Sequence, residues 1–540
     1  MTELPTWLSP LLDAEQMRGV DRWAIDERGV PGLELMERAG AGVVLELARV
    51  AREGPVTVFC GKGNNGGDGL VVARLLRAEC REVTVVCVAA PEQFTGDARA
   101  NLDRLSGAAP VRLDGLPWAH EPAAAKRGAA PDVALFARGV TVVDALLGTG
   151  FEGEPRGAVA DAIALIDAAR AHTVSIDVPS GVDASSGEVA GVAVRASLTA
   201  TFHAAKPGLW INPGKAHAGA VALVDIGIPR GAPARASVGL ITPAVLATLP
   251  RRGAAATKFT SGHVVVVGGS LGLSGAPTMS ARASMRAGAG YVTVCVPRSL
   301  AQVIAASGTP ELMTRALPER EGILTADALE PALEASARGG ALALGPGLGR
   351  DQAALEFARA LAREAGAPLV LDADGLNAHA GALDGLRLRS APTVLTPHAG
   401  ELARLLGCDS AEIERRRLHH VRSAAQQSGA VVLLKGDDTL IARPDGLVAV
   451  SPGASPALAT AGTGDVLTGV IAALLAQGLD AFAAAAAGVW MHAHAGRRAA
   501  LRVGAPEGVI ASDVIAELPA ARTAAAGGAS DREAGAGSGG

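Results

Sequence analysis

Short apolar, β-branched runs alternate along the chain with amphipathic stretches of helical length. Val56–Cys60, Val83–Val88, Val140–Asp144, Thr173–Asp177 and Val221–Asp225 read as strands, with Leu70–Glu79, Asp97–Leu105 and Ala158–Ala169 as helices between them. Two more helices, near Leu11–Glu27 and Gly32–Arg52, precede the first strand. This alternation predicts βαβ units and a parallel sheet covered on both faces. A second series follows, with strands at His263–Val267, Tyr291–Val296, Ala341–Leu344, Pro368–Asp372, Thr393–Thr396 and Val431–Lys435. Between the series the pattern lapses into Pro, Arg, Gly and Ala. We therefore expect two α/β domains, residues 10–230 and 256–518, joined by a linker over 231–255. Residues 523–540, almost all Ala, Gly and Ser, are expected to form a disordered tail.

Composition narrows the functional classes. A length of 540 residues with 49% hydrophobic and 19% charged residues suits several buried cores and excludes a mainly disordered chain. The net charge of −5, with no long Lys/Arg run, argues against a nucleic-acid binder. Five cysteines, widely scattered and without a CxxC pair, argue against a disulfide framework and a zinc site. The start of the chain lacks a basic segment followed by an apolar one. The Ala-rich region from Val470 to Gly496 is broken by Gln477, Asp480, His492 and His494, so neither a signal peptide nor a membrane span is expected, and the location is expected to be cytoplasmic. Only six lysines and five asparagines occur, yet Lys62, Lys206, Lys258 and Lys435 all sit beside Gly- or Pro-containing loops, and Asn64 and Asn65 are adjacent in one of them. Scarce residues kept in loops point to site chemistry.

Strand Val56–Cys60 runs into Gly61-Lys-Gly-Asn-Asn-Gly-Gly-Asp-Gly69, with a helix expected from Leu70. Glycines let a backbone turn tightly against a ligand, and a helix N-terminus offers free N–H groups to phosphate. The GxGxxG spacing fits Gly61, Gly63 and Gly66, but Ala89-Ala-Pro follows the next strand where a dehydrogenase would place a ribose-binding acid. Asp144 leads into Gly148-Thr-Gly-Phe-Glu-Gly-Glu154, and Asp177-Val-Pro-Ser180 ends a third strand. Each aspartate alone reads as a turn or helix cap. Three polar loops after parallel strands share one sheet edge and read as a site.

These segments, with Lys206-Pro-Gly, resemble the epimerase domain that acts on hydrated NAD(P)H, over about residues 10–230. The resemblance implies a Rossmann-like three-layer α/β/α fold. It places the hydrate against Asn64, Asn65, Gly66, Gly67, Asp68 and the stretch Gly148, Thr149, Gly150, Phe151, Glu152, Gly153, Glu154, with Asp177 as a catalytic group facing the altered nicotinamide ring. It also implies a potassium ion held by Asn65, Asp144 and Ser180, an oxygen donor set that suits a hard cation.

In the second series Ala461-Gly-Thr-Gly-Asp465 opens an apolar helix whose first N–H groups can hold a phosphoryl group, with Asp465 placed to take a hydroxyl proton. Lys435-Gly-Asp-Asp-Thr439, Thr396-Pro-His398, Gly268–Gly275 and Gly345–Gly349 also follow strands. Together they resemble the ribokinase-like dehydratase of hydrated NAD(P)H, over about residues 255–518. The whole chain thereby resembles the fused bifunctional repair enzymes. The resemblance places the hydrate at Ala276, Gly347, His398 and the catalytic Asp465, and ADP or ATP with magnesium at Lys435, Gly436, Asp437, Asp438, Thr439 and Gly464. Phe259 in Lys258-Phe-Thr-Ser-Gly262 departs from the family pattern, which has glycine there. The expected partners are the small molecules NADHX, NADPHX, ADP and ATP, with no nucleic acid or membrane, in a homo-oligomer. Two rivals remain at this point: a sugar or vitamin kinase with an accessory domain, and a non-catalytic binding module in the first half.

Overall fold

The computed structural model describes residues 3–51, 53–113, 140–337 and 340–523, so the expected tail at 523–540 lies almost wholly outside the described residues. The chain divides into two compact units, Pro10–Val238 and Met1–Ser9 with Gly239–Gly540.

The first unit is built on a seven-stranded sheet in the order 111–112, 83–87, 56–60, 141–145, 172–176, 198–202 and 220–224. Every pairing is parallel. The side chains of strand Val56–Cys60 alternate between two cores. Val56, Val58 and Cys60 pack with Leu70, Val72 and Ala73, whereas Phe59 packs with Val142, Ile163 and Ile166. That period of two, with apolar partners on both faces, makes the sheet the middle of three layers. Strand order reverses beside Val56–Cys60, which leaves a crevice at the strand carboxyl ends where open α/β sheets bind ligands.

The helix expected from Leu70 begins six residues earlier and spans Asn64–Ala78, so Asn64, Asn65, Gly66, Gly67 and Asp68 occupy its opening turns. Glycine and asparagine are poor helix formers; here tertiary packing overrides propensity. A β-carbon on Gly66 would lie 1.8 Å from the Gly61 carbonyl oxygen, and one on Gly69 would lie 2.5 Å from Ala145 Cβ. Only a bare backbone lets this helix sit so close to the sheet. Strand Leu198–Phe202, absent from the sequence reading, is fully buried and pairs with His172–Ile176.

The second unit carries an eleven-stranded sheet whose central strands, from 313–317 through 291–297, 263–267, 341–344, 369–371 and 393–395 to 431–434, are parallel. Strands Leu440–Ala442 and Val448–Val450 continue it antiparallel. The expected linker at 231–255 is shorter than its composition suggests: Val238–Ile241 is a strand of this sheet, and Val245, Leu246 and Leu249 join its core. The edge strand at the far side is Leu8–Leu11, from the start of the chain. Trp7 is buried in the same core, its ring 5.4 Å from that of Phe482, and its carbonyl accepts hydrogen bonds from the Thr242 N–H and hydroxyl. Helix Thr463–Ala476 packs so tightly on Gly275–Arg286 that a β-carbon on Gly469 would meet the Ser280 carbonyl oxygen at 2.0 Å. Among the described residues no helix is long and apolar enough to cross a membrane.

Candidate functional site

A cleft of about 830 Å³ opens at the strand carboxyl ends of the first unit. Asn64, Asn65, Asp68, Gly148, Thr149, Gly150, Phe151 and Asp177 line it, as expected from the sequence, whereas Glu152, Gly153 and Glu154 do not and are exposed. Gly66 and Gly67 lie behind the wall, packed on Gly61 and Met36.

Asp177 has a positive φ of 66° directly after its strand, which swings its carboxylate into the cleft. Oδ1 accepts from Lys206 Nζ at 2.7 Å, and Oδ2 accepts from the Thr149 N–H at 3.2 Å and from the Thr149 hydroxyl. Burial alone would raise its pKa, but the Lys206 charge and these hydrogen bonds hold it below the ordinary carboxylate value. Lys206 is fully buried and also donates to Thr201 Oγ1 and the Phe202 carbonyl, both at 2.9 Å. Its mark in the sequence is scarcity: Lys206 is one of six lysines and is followed by Pro-Gly, a motif that names no role for it.

Asp21, from the first helix, was missed altogether. It lines the same cleft, and burial, outweighing attraction to Lys206, pushes its pKa up to about 6. Asp68 is 8% exposed and raised well above its usual range by burial and by the Asp177 and Asp21 charges. Nothing in the amphipathic pattern of residues 14–22 marks Asp21 as different from its neighbours. Arg18, Lys62 and Arg156 supply cations to the cleft.

Asp144 is fully buried below this cleft. Its carboxylate accepts from Ser180 Oγ at 2.5 Å, the Ser180 N–H at 2.9 Å, Ser175 Oγ at 2.8 Å and the Leu146 N–H at 3.3 Å. Burial still raises its pKa despite these bonds, and no ion pair reaches it among the described residues. Asn65 donates from Nδ2 to the Leu147 carbonyl at 2.8 Å, next to the Leu147 N–H that donates to Ser180 Oγ at 2.9 Å. Asn65, Asp144 and Ser180 thus converge through Leu147. Their donors are oxygens carrying a single negative charge, a set that fits a monovalent cation.

In the second unit the loops after 263–267, 341–344, 369–371, 393–395 and 431–434 share one edge, because these strands are parallel. Gly347, at φ 64°, adjoins Ala276: its β-carbon would lie 3.2 Å from Ala276 Cβ. Asp465 stands in the first turn of helix Thr463–Ala476, whose start is fixed by Ser280 Oγ donating to the Asp465 carbonyl at 2.9 Å. Burial, then the Asp372 charge, push the Asp465 pKa up to about 7, although Lys435 opposes the shift. Lys435 adjoins this turn, since a β-carbon on Gly464 would lie 3.5 Å from its Nζ. His398 caps helix Ala399–Leu406. Its Nδ1 accepts the Gly400 and Glu401 N–H groups at 3.1 and 3.3 Å, so in the neutral ring Nε2 carries the proton.

Asp372 is the residue of this edge that sequence reasoning passed over. Its carboxylate gathers Lys435 Nζ at 2.7 Å, Thr396 Oγ1 at 2.9 Å and Thr468 Oγ1 at 2.6 Å. An aspartate closing a buried strand was its only mark in the sequence. Within the Lys435–Thr439 loop, Asp438 is 1% exposed and paired with buried Arg417 at 3.0 Å, and Thr439 bonds back to the Gly436 carbonyl at 2.7 Å. Those two side chains hold the loop's shape, and Gly436 and Asp437 form its exposed surface. Segment Lys258–Gly262 precedes strand His263–Val267 and packs on Gly290 and the Ala476 end of helix Thr463–Ala476. It is therefore about 16 Å along that helix from Asp465. Phe259 lies at the amino edge of the strands, against Tyr291, at the opposite end of the strands from the Gly345–Gly349 and Lys435–Thr439 loops.

Two α/β units, one Rossmann-like and one ribokinase-like, each with glycine loops and buried carboxylates at the carboxyl edge of its strands, define a nucleotide-handling enzyme. A family model described as NAD(P)H-hydrate dehydratase matches residues 264–520, and one described as YjeF-related protein N-terminus matches 32–208. Two relatives carry the description bifunctional NAD(P)H-hydrate repair enzyme Nnr. The one from Moorella thermoacetica is 44% identical, covering 94% of this chain and 96% of its own length. The one from Salinibacter ruber is 41% identical, covering 94% and 95%. The chain belongs to the family of bifunctional NAD(P)H-hydrate repair enzymes. Relatives described as bifunctional repair enzymes that match along both units stand against the reading of a sugar or vitamin kinase with an accessory domain and against a non-catalytic binding module in the first half.

Proposed function

We propose that the first unit interconverts the R and S epimers of hydrated NADH and NADPH, and that the second dehydrates the S form to NAD(P)H at the expense of ADP or ATP. The observation that carries this reading is the pairing, in one chain, of the Asn64–Asp68 cleft with an Asp465 carboxylate in the first turn of helix Thr463–Ala476. In the cleft, Arg18, Lys62 and Arg156 face the diphosphate, and the ionised Asp177 faces the ring. Asn65, Asp144 and Ser180 would hold potassium, which offsets the buried charge of Asp144 beneath an anionic ligand.

In the second unit, Ala276 and Gly347 shape the wall for the hydrate, and His398 offers its Nε2 proton. Asp465 takes the proton of the ring hydroxyl as that oxygen attacks the terminal phosphorus of the nucleotide, and the bond from that phosphorus to its bridging oxygen breaks, releasing AMP from ADP or ADP from ATP. The free helix N–H at Gly464 and the side-chain ammonium of Lys435 meet the transferred charge. Gly436 and Asp437 present backbone and carboxylate to the nucleotide, whose magnesium travels on its phosphates. Phosphorylation matters because hydroxide leaves poorly and phosphate leaves well. The C–O bond then breaks, phosphate leaves, and the adjacent ring carbon loses a proton, which restores the C=C bond of the reduced ring. The test is absorbance at 340 nm regained from hydrated NADH with ADP, with ATP and with neither, alongside chromatographic resolution of the epimers. A stable phosphorylated product in place of reduced cofactor would refute it.

A further inference from the structure

The family relationship leaves open which groups move the proton during epimer exchange. Asp177 is poorly suited to that task, because Lys206 at 2.7 Å and Thr149 tie up its oxygens. Asp21 and Asp68 differ from it. Both line the cleft, they project from separate helices, Ala14–Arg22 and Asn64–Ala78, and neither has a hydrogen bond or ion pair among the described residues. Asp68 is nine-tenths buried in that condition, which a carboxyl group tolerates when a ligand completes its hydrogen bonding.

We infer that Asp21 and Asp68 form the acid–base pair of epimer exchange, one on each side of the hydroxyl-bearing carbon, while Asp177 is the fixed negative charge beside the ring. The inference rests on the reading of the first unit as the epimerase. The added hydroxyl sits on the carbon next to the ring nitrogen. The protonated member of the pair gives its proton to that hydroxyl. The C–O bond breaks, the nitrogen electron pair forms a C=N bond, and water leaves. Water then adds to the opposite face, the C–O bond re-forms, the C=N pair returns to nitrogen, and the other carboxylate takes the water's proton. The pair holds one proton before and after, nothing is oxidised, and the reverse exchange runs with the roles swapped.

The transient iminium is cationic, and the Asp177 carboxylate stabilises it. Environments that push carboxyl groups apart mark acid and base roles. Asp177 is held below its ordinary value by Lys206 and its hydrogen bonds, whereas burial raises Asp21 to about 6 and Asp68 well above its usual range, so the pair holds a proton more readily than Asp177 does. The charged groups around them are Lys206 and Asp177 from the neighbouring strand ends, Arg18 on the Asp21 helix and Lys62 before the Asp68 helix. Asp97 and Arg156 also line the cleft.

The test uses the full chain with hydrated NADPH, measuring epimer exchange above the buffer background between pH 5 and 9. The parental profile should be bell-shaped with an acid limb near pH 6. Asp21→Asn should lower kcat by roughly 10²–10⁴, leave KM near the parental value and abolish the acid limb. Asp21→Glu should recover part of kcat and keep the limb. In water labelled with oxygen-18, each inversion should place the label in the ring hydroxyl. An Asp21→Asn enzyme with parental kcat, or with raised KM alone, overturns the inference, as does inversion without label. A parental chain that dehydrates the S form but never exchanges epimers instead refutes the epimerase reading itself.

Discussion

Lys435 Nζ sits 2.7 Å from Asp372 Oδ1, and that carboxylate also receives the hydroxyls of Thr396 and Thr468. One buried acid thereby ties three strand ends to helix Thr463–Ala476. The pair also sets the electrostatics of its neighbour, since the Asp372 charge raises the Asp465 pKa and the Lys435 charge lowers it. Asp465 must be ionised to accept a proton, so dehydration should fall about tenfold per pH unit below about pH 7. Asp372→Asn removes the repelling charge and frees Lys435 to face Asp465. Both changes lower the Asp465 pKa, so the acid limb of kcat/KM should move to lower pH. An unmoved limb would show that Asp372 plays no part in tuning Asp465.

Asp465→Asn should cost roughly 10²–10⁴ in dehydration while epimer exchange continues. It should also stabilise the protein above pH 7. The folded-state pKa of about 7 exceeds the reference 3.8, so the associated stability is full below about pH 4 and lost as pH rises through 7. Asparagine carries no such burden. A gain of about 1–3 kcal/mol at pH 8 and little at pH 4 is expected, read as a shift of a few degrees in the melting temperature of the second unit. Parental activity in the folded variant would reduce Asp465 to a helix cap.

Replacing potassium by a bulky organic cation at constant ionic strength should weaken hydrate binding to the first unit, because general screening is then unchanged. Asp144→Asn keeps partners for Ser175 and Ser180 but removes the buried charge. It should abolish that dependence on the cation. Calorimetry in the two salts makes the comparison; equal affinities for the parental chain would exclude a potassium role.

Gly66→Ala should destabilise the first unit although alanine favours helices. The added carbon would press on the Gly61 backbone carbonyl, which cannot rotate away as a side chain would. Overpacking of this kind costs about 1–3 kcal/mol or more. Epimer exchange should fall with the melting transition of that unit, whereas dehydration should persist. A melting temperature equal to the parental one would mean the helix can shift outward.

Most of the central strands and the glycine loops were legible in the sequence, because buried parallel strands are continuous apolar runs bounded by breakers. His263–Val267 and Ala341–Leu344 fall where the pattern puts them. What escaped depends on partners distant in sequence. Helix Asn64–Ala78 starts inside a Gly/Asn stretch because the sheet accepts its bare backbone, which no local propensity encodes. Strand Leu198–Phe202 carries two threonines that look exposed but are buried. Asp21 and Asp372 gain their roles only when helix and strand ends from far along the chain converge. In the Lys435–Thr439 loop, composition could not say which acid pairs inward with Arg417 and which faces outward.

Trp7 and the strand beside it complete a sheet whose other members begin at Val238, some 230 residues later. During synthesis this opening segment must therefore wait, unpaired, while the entire first unit emerges and folds. A fragment cut at the start of the second family match would leave the Phe482 face open and a sheet edge bare. Separating the two activities at the level of the gene calls for excision between Ser9 and Gly239 rather than one cut.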